Sequence, residues 1–177
     1  MLLDRDGVLN EDRPRGVLQL EEFELLPGTL EALAALARAR IPAAVVTNQA
    51  VVGRGLVSRA TVEAIHERLQ AAVRAKGGEL LGIHVCFHGP DEGCACRKPA
   101  PGLLLEAARQ HGFELARTAL VGDDARDLEA AHRAGALAVL VRTGKGRATE
   151  ERVLRGELKA DAVFDDLSAF VASLVSK

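Results

Sequence analysis

Four polar clusters in this chain each follow an apolar run. Asp4-Arg5-Asp6-Gly7 follows Leu2-Leu3, and Thr47-Asn48-Gln49 follows residues 43–46. Arg97-Lys98-Pro99 comes after the apolar run 83–88 and a cysteine-rich loop. Gly122-Asp123-Asp124 closes the run that starts at Ala119, with Asp127 three residues further on. If these runs are neighbouring strands, carboxylates from two strand ends converge beside a hydroxyl and an ammonium. Clustered carboxylates repel one another unless a hard cation lies among them. Mg²⁺ suits such a place, because it takes oxygen ligands from a few carboxylates and keeps waters. A cation held this way, facing Lys98 and Thr47, forms an arrangement that holds a phosphate. Singly, each cluster has an ordinary explanation. Asp-Gly is common turn chemistry, an Asp after a strand can cap the next helix, and Lys-Pro is a plain loop. Their joint placement at successive strand ends carries the chemical reading.

The cysteines form a second pattern. All three lie within residues 86–96, as Cys86-x-His88, five residues, then Cys94-x-Cys96. An odd number excludes full disulfide pairing, and clustered cysteines without an export signal read as metal ligands. Three thiolates and one imidazole make a closed tetrahedral Zn²⁺ set of the structural kind; the alternative is a group of reduced, packed thiols. In an extended strand the Cα atoms of Cys86 and His88 would lie about 7 Å apart, so the chain must bend near Phe87. His84 shares their face and is a rival ligand; His88 is preferred because it lies in the loop. A zinc here would pin the segment before Arg97 and Lys98. His66, His111 and His132 read as surface or satisfied helix residues.

These residues need a scaffold, and apolar periodicity supplies one. Strands are expected at 2–3, 43–48, 83–88, 119–124, 136–141 and 162–164. Helices are expected from Pro27-Gly28, over 59–76, from Pro101 to a stop at Gly112, over 125–134 with a stop at Gly135, and over 147–155 and 166–175. Alternating strands and helices with apolar strands imply an α/β fold, a Rossmann-like parallel sheet with helices on both faces. Ligands bind such sheets beyond the carboxyl ends of the strands, where the polar clusters fall.

The chain has 177 residues, 48% of them hydrophobic, which fits one domain over 1–177 with a zinc-binding loop at 86–96. A formal net charge of −2, no Trp, no Tyr and only five Phe argue against a nucleic-acid partner. No apolar run is long enough to span a membrane. The charged start MLLDRDGVLN is unlike a signal peptide, so the expected compartment is the cytosol.

The segments DRDGVLN, VVTNQ, RKPAPG and VGDDARD resemble the four motifs of haloacid dehalogenase-like phosphatases. Within them, Asn48-Gln49 followed by Arg54-Gly55, the cysteine pattern running into Arg97-Lys98-Pro99, and VRTGK at 141–145 resemble the heptose 1,7-bisphosphate phosphatase family. The resemblance covers Leu2 to about Lys145. It implies a Mg²⁺-dependent hydrolase acting on a small phosphorylated sugar through an aspartyl-phosphate. The lengths between motifs leave no room for a large cap domain, and a monomer is expected. By the same resemblance Asp4 is the nucleophile and Asp6 the general acid–base. Asp4, the Asp6 carbonyl and Asp123 are the Mg²⁺ ligands. Thr47 and Lys98 hold the transferring phosphoryl. Asp12, Arg13, Asn48, Gln49, Arg54 and Arg97 contact the substrate, and His88 completes the zinc set with Cys86, Cys94 and Cys96. Arg54 and Lys145 are the candidates for a second phosphate. Asp6 must hold a proton at some stage, and nothing in the sequence indicates what raises its pKa.

Two features depart from the family pattern. Only three residues precede Asp4, so either the first strand is short, with Met1 buried in the sheet, or the start lies upstream. Asp124 stands where the family often has Lys. Histidinol-phosphate phosphatases are the nearest rival reading. A phospho-receiver domain shares the acidic pairs, Thr and Lys but lacks a cysteine loop, and a zinc-dependent interaction module is the third.

Overall fold

Six apolar runs form the strands of one parallel sheet. The computed structural model describes residues 1–175; residues 176 and 177, the end of the expected 1–177 domain, lie outside the described residues. In chain order the elements are β1 (Leu2–Leu3), α1 (Thr29–Arg38), β2 (Ala44–Asn48), α2 (Ala50–Gly53), α3 (Arg59–Ala75) and β3 (Ile83–Cys86). They continue with α4 (Gly102–His111), β4 (Ala119–Gly122), α5 (Ala125–Ala134), β5 (Leu137–Val141), α6 (Gly146–Leu154), β6 (Ala162–Phe164) and α7 (Leu167–Val175). The strand order is β3-β2-β1-β4-β5-β6, all parallel.

Alternation along the strands divides the core between the faces. Leu3, Val45, Val121 and Val139 pack with α1, α3 and α7 through Leu33, Leu36, Ile65, Leu69 and Phe170. Leu2, Ala44, Val46, Leu120 and Leu140 pack on the other face with Leu103, Leu104, Leu128 and Ala131 of α4 and α5. Both faces are covered, which is why the strands read as unbroken apolar runs. The two-residue β1 is the sheet's middle, paired to β2 on one side and β4 on the other. Met1 is buried, and its amino group donates to the Pro42 carbonyl at 2.7 Å.

The six expected strands and the long helices lie where periodicity places them, within a residue or two at most ends. Both glycine stops hold: Gly112 and Gly135 adopt left-handed backbone at the ends of α4 and α5. The one-turn α2 and two 3₁₀ turns, Leu20–Glu22 and Leu115–Arg117, are absent from the sequence reading. A single turn is too short to show a 3.6-residue period. Among the described residues no helix is long and apolar enough to cross a membrane.

Candidate active site

The strand order reverses around β1, and in an open parallel sheet this opens a crevice at the carboxyl ends. Asp4 leaves β1 there and Asp123 leaves β4. A cleft of about 250 Å³ lies above them.

Lys98 is the organising cation of this cleft. It is only 2% exposed, and its Nζ donates to Asp4 Oδ1 at 2.9 Å, Asp127 Oδ1 at 2.6 Å and the Val46 carbonyl at 2.8 Å. Three acceptors use all three ammonium protons. Burial alone would lower the Lys98 pKa, but Asp127 and Asp4 outweigh it and hold Lys98 above the usual lysine range. Asp4, Asp123 and Asp127 each present an oxygen, all within 4.8 Å of one another. Burial pushes Asp4 up to about 7, with Asp127 and Asp6 adding to the shift and Lys98 opposing it. Burial, then Asp127 and Asp4, pushes Asp123 up to about 8. A buried set of hard oxygens that resists ionising together fits a hard divalent cation. The backbone is shaped around it, since a Cβ on Gly7 or Gly144 would run into the Asp123 carboxylate.

Asp6 faces a different environment. Arg5, fully buried, donates through Nη2 to both Asp6 oxygens at 2.8 and 3.0 Å and to Gln49 Oε1 at 3.2 Å. Its Nη1 lies 3.0 Å from His66 Nε2. Asn10 and Gln49 amides also donate to Asp6, at 2.9 and 2.7 Å. Burial alone would raise the Asp6 pKa; the Arg5 guanidinium and these donors reverse that and hold it below the usual carboxylate range. The surroundings therefore favour the carboxylate rather than the acid. Burial and then Arg5 push His66 down to about 3, so it is a neutral acceptor for the buried arginine.

At the start of α5 the Asp124 side chain accepts from the Arg126 amide at 3.0 Å, and the Asp124 amide donates to Asp127 Oδ2 at 3.1 Å. This reciprocal cap fixes the Asp127 carboxylate, whose other oxygen meets Lys98. Asp124 also binds the Arg126 guanidinium at 2.9 and 2.8 Å. Lys145 Nζ lies 3.1 Å from Asp12 and 3.8 Å from Asp124. Arg126 and Lys145 thus set two cations against Asp124.

Of the sequence-predicted residues, Asp4, Asp6, Asp12, Arg13, Asn48, Gln49, Arg54, Arg97, Lys98 and Asp123 all line this one cleft. Thr47 lies beneath it, 1% exposed, with its hydroxyl accepting from Gln49 Nε2 at 2.9 Å. Asn48 clamps the lysine segment: its Nδ2 donates to the Lys98 carbonyl at 3.0 Å, and its Oδ1 accepts from the Lys98 amide at 3.1 Å. Arg13 pairs with Glu24 at 3.0 Å, and its buried Nε has no partner. The sequence reading did not assign Asp127, Arg5, His66 or Arg126 to the site. The D-x-x-D spacing of Asp124 and Asp127 was the available signal for Asp127. For His66, 61 residues from Arg5, no local signal exists.

β3 ends at Cys86, and the turn that follows brings His88 back. Cys86 Sγ lies 3.6 Å from His88 Nδ1, 3.6 Å from Cys94 Sγ and 3.2 Å from Cys96 Sγ. Cys96 Sγ lies 3.3 Å from His88 Nδ1 and 3.4 Å from Cys94 Sγ. A tetrahedron with bonds of about 2.3 Å has edges of about 3.8 Å, a few tenths of an ångström longer than these separations. The four atoms thus fit one soft cation. His84 turns away, its Nε2 3.1 Å from His111 Nε2, and takes no part.

A family model described as HAD-hydrolase-like matches residues 95–170. The D-glycero-beta-D-manno-heptose-1,7-bisphosphate 7-phosphatase of Pseudomonas putida is 46% identical over 175 residues, covering 99% of this chain and 98% of that one. The chain belongs to this family of haloacid dehalogenase-like phosphatases. Another member, the D-glycero-alpha-D-manno-heptose-1,7-bisphosphate 7-phosphatase of Mycobacterium bovis, is 40% identical over 98% of this chain and 90% of its own length. The crystal structure of the Bordetella bronchiseptica D,D-heptose 1,7-bisphosphate phosphatase, complexed with magnesium and phosphate, superposes with a TM-score of 0.94 at 42% identity. It covers 99% of this chain and 97% of that one.

Gly7 tests how tightly this acidic cluster is built. It has φ +79° and abuts Asp123, whereas Gly112 has φ +71° with open space where a Cβ would go. Gly112→Ala should cost the conformational part alone, about 1 kcal/mol. Gly7→Ala should lower the urea midpoint further, because Asp123 must also shift. Equal midpoints for the two variants would contradict the close packing described here.

Proposed function

We propose that the protein is a Mg²⁺-dependent phosphatase that removes the 7-phosphate of D-glycero-β-D-manno-heptose 1,7-bisphosphate. The observation that carries this reading is the buried Lys98 joining Asp4 and Asp127, with Asp123 completing an oxygen set at the strand switch point. The heptose substrate is supported by membership of the family. The β anomer is taken from the Pseudomonas putida relative at 46% identity; the α-named relative, at 40%, falls within the range of the β-named ones, 34% to 46%, and the substrate panel below decides between the anomers.

Asp4, Asp123 and Asp127 are the carboxylates that would hold Mg²⁺, together with the Asp6 carbonyl. The ion would neutralise charge on the cluster and on the phosphoryl oxygens. An Asp4 oxygen attacks phosphorus, forming an acyl phosphate as the bond to the sugar oxygen breaks. The Lys98 ammonium, on giving up one of its three present acceptors, and the Thr47 hydroxyl beneath the cleft would stabilise charge on the transferring group. Asp6 delivers a proton to the departing alkoxide. To do so it must exchange Arg5 and the amide donors, which favour the carboxylate, for an oxygen that favours the acid. It then takes a proton from the water that hydrolyses the acyl phosphate, releasing phosphate and restoring Asp4. Asp12, Arg13, Asn48, Gln49, Arg54 and Arg97 line the cleft and would contact the sugar and its second phosphate.

The decisive experiment is a phosphate-release panel with both heptose bisphosphate anomers, histidinol phosphate and fructose 1,6-bisphosphate. The β-heptose bisphosphate should have the highest kcat/KM, and Asp4→Asn should fall below about a tenth of wild type, because an amide cannot replace the nucleophile. Faster turnover of the α anomer would reverse the anomer assignment. Faster turnover of histidinol phosphate would reverse the substrate class.

The cysteine loop is proposed as a structural Zn²⁺ site formed by Cys86, His88, Cys94 and Cys96, holding the segment that leads into Arg97 and Lys98. Elemental analysis of protein purified without added metal should give one zinc per chain, lost in Cys94→Ser/Cys96→Ser. That variant should raise KM more than it lowers the unfolding midpoint, because the sheet has its own core. Unchanged zinc content would refute the ligand set.

A further inference from the structure

A second depression, of about 460 Å³, adjoins the catalytic cleft and shares Arg54, Arg97, Lys98 and Arg126 with it. Its remaining wall comes from Arg133 of α5, from Pro99 and Ala100, and from Pro90, Gly93 and Cys94 of the cysteine loop. The two spaces differ in charge. Six aspartates line the catalytic cleft, whereas no carboxylate side chain is among the described residues lining the depression. The arginines there are held by contacts that leave donors over. Arg126 is gripped by Asp124 through Nε and Nη2, and its Nη1 is not used in that pair. Arg97 gives Nη1 to the His88 carbonyl at 3.4 Å. Arg133 donates to the Pro99 carbonyl at 3.2 Å and pairs with Glu129 at 3.0 Å. Among the described residues Arg54 forms no ion pair. The other candidate cations of the cleft already face carboxylates, Arg13 facing Glu24 at 3.0 Å and Lys145 facing Asp12 at 3.1 Å.

We propose that this depression is the subsite for the phosphate that is not hydrolysed, with Arg126 and Arg133 acting beside Arg54 and Arg97 as specificity-determining residues. The inference rests on the bisphosphatase reading above and deepens it. A phosphate dianion seeks planar, forked donors and avoids carboxylates, and the depression offers the first without the second. Lys98 borders both spaces, so a substrate whose reacting phosphate meets Lys98 has its far end directed over the arginine rim. That far phosphate is the anomeric one. Its direction differs between the α and β forms, so the same rim distinguishes them. It also places the cysteine loop in substrate selection, as one wall of the subsite.

The test compares heptose 1,7-bisphosphate with heptose 7-phosphate, the same sugar without the distal group, in the holoenzyme and in Arg54→Ala, Arg126→Ala and Arg133→Ala. Wild type should prefer the bisphosphate. Each replacement should reduce the ratio of the two kcat/KM values by roughly 10- to 100-fold, the range for losing a charge-assisted contact. Arg133→Lys should keep more of the ratio than Arg133→Ala; equal loss would mean that Arg133 acts only through the Pro99 carbonyl and would remove it from the subsite. A wild-type preference that survives all three replacements overturns the subsite while leaving the bisphosphatase reading intact. Negligible wild-type turnover of both heptose phosphates, with histidinol phosphate accepted, overturns that reading and the subsite with it.

Discussion

The site depends on one charge imbalance. Asp4, Asp123 and Asp127 converge at the strand switch point, and among the described residues only the Lys98 ammonium lies directly among them. Three carboxylates against one ammonium leave two negative charges in a largely buried space, which a divalent cation balances. Without it, burial and repulsion keep Asp4 and Asp123 tending toward their protonated forms. Much of the neighbouring structure holds this cluster in place. Asn48 clamps the Lys98 peptide, the α5 cap holds Asp127, and glycines at 7 and 144 make room for Asp123. The cysteine loop leads straight into Lys98.

A second constraint separates the two aspartates of the first motif. Asp4 and Asp6 are two residues apart, yet Asp4 meets Lys98 while Asp6 meets Arg5, Asn10 and Gln49. The intervening Arg5 is buried together with His66, which accepts because burial and the arginine keep it neutral. Adjacent carboxylates are thereby given different chemical surroundings, one in the oxygen cluster and one in a cage of donors.

The sheet was largely legible because strands covered on both faces must be apolar throughout, and because Gly112 and Gly135 mark helix ends by their backbone requirement. Asp4, Lys98 and Asp123 were legible as polar residues closing such strands. Asp127 was visible beside the fourth cluster but carried no role, since D-x-x-D at a helix start is ordinary capping, and here the residue both caps α5 and meets Lys98. Arg5 was hidden between two carboxylates that drew the chemical reading. His66 became visible only when tertiary packing brought it to Arg5, and Arg126 only where Asp124 holds its guanidinium at the cleft. The proton balance of Asp6 could not be read from the chain, because it depends on how Arg5, Asn10 and the distant Gln49 fold around the carboxylate.

The central claim is that the acidic cluster is built for a divalent cation that displaces protons. Calorimetric titration of Mg²⁺ into the protein between about pH 6 and pH 9, in buffers of different ionisation enthalpy, tests it directly. Asp4 and Asp123, raised to about 7 and about 8, hold protons below those values and lose them above. Affinity should therefore rise with pH across this window and then level off, with proton release on binding at the lower end. Mg²⁺ binding that is independent of pH and releases no protons would contradict the account.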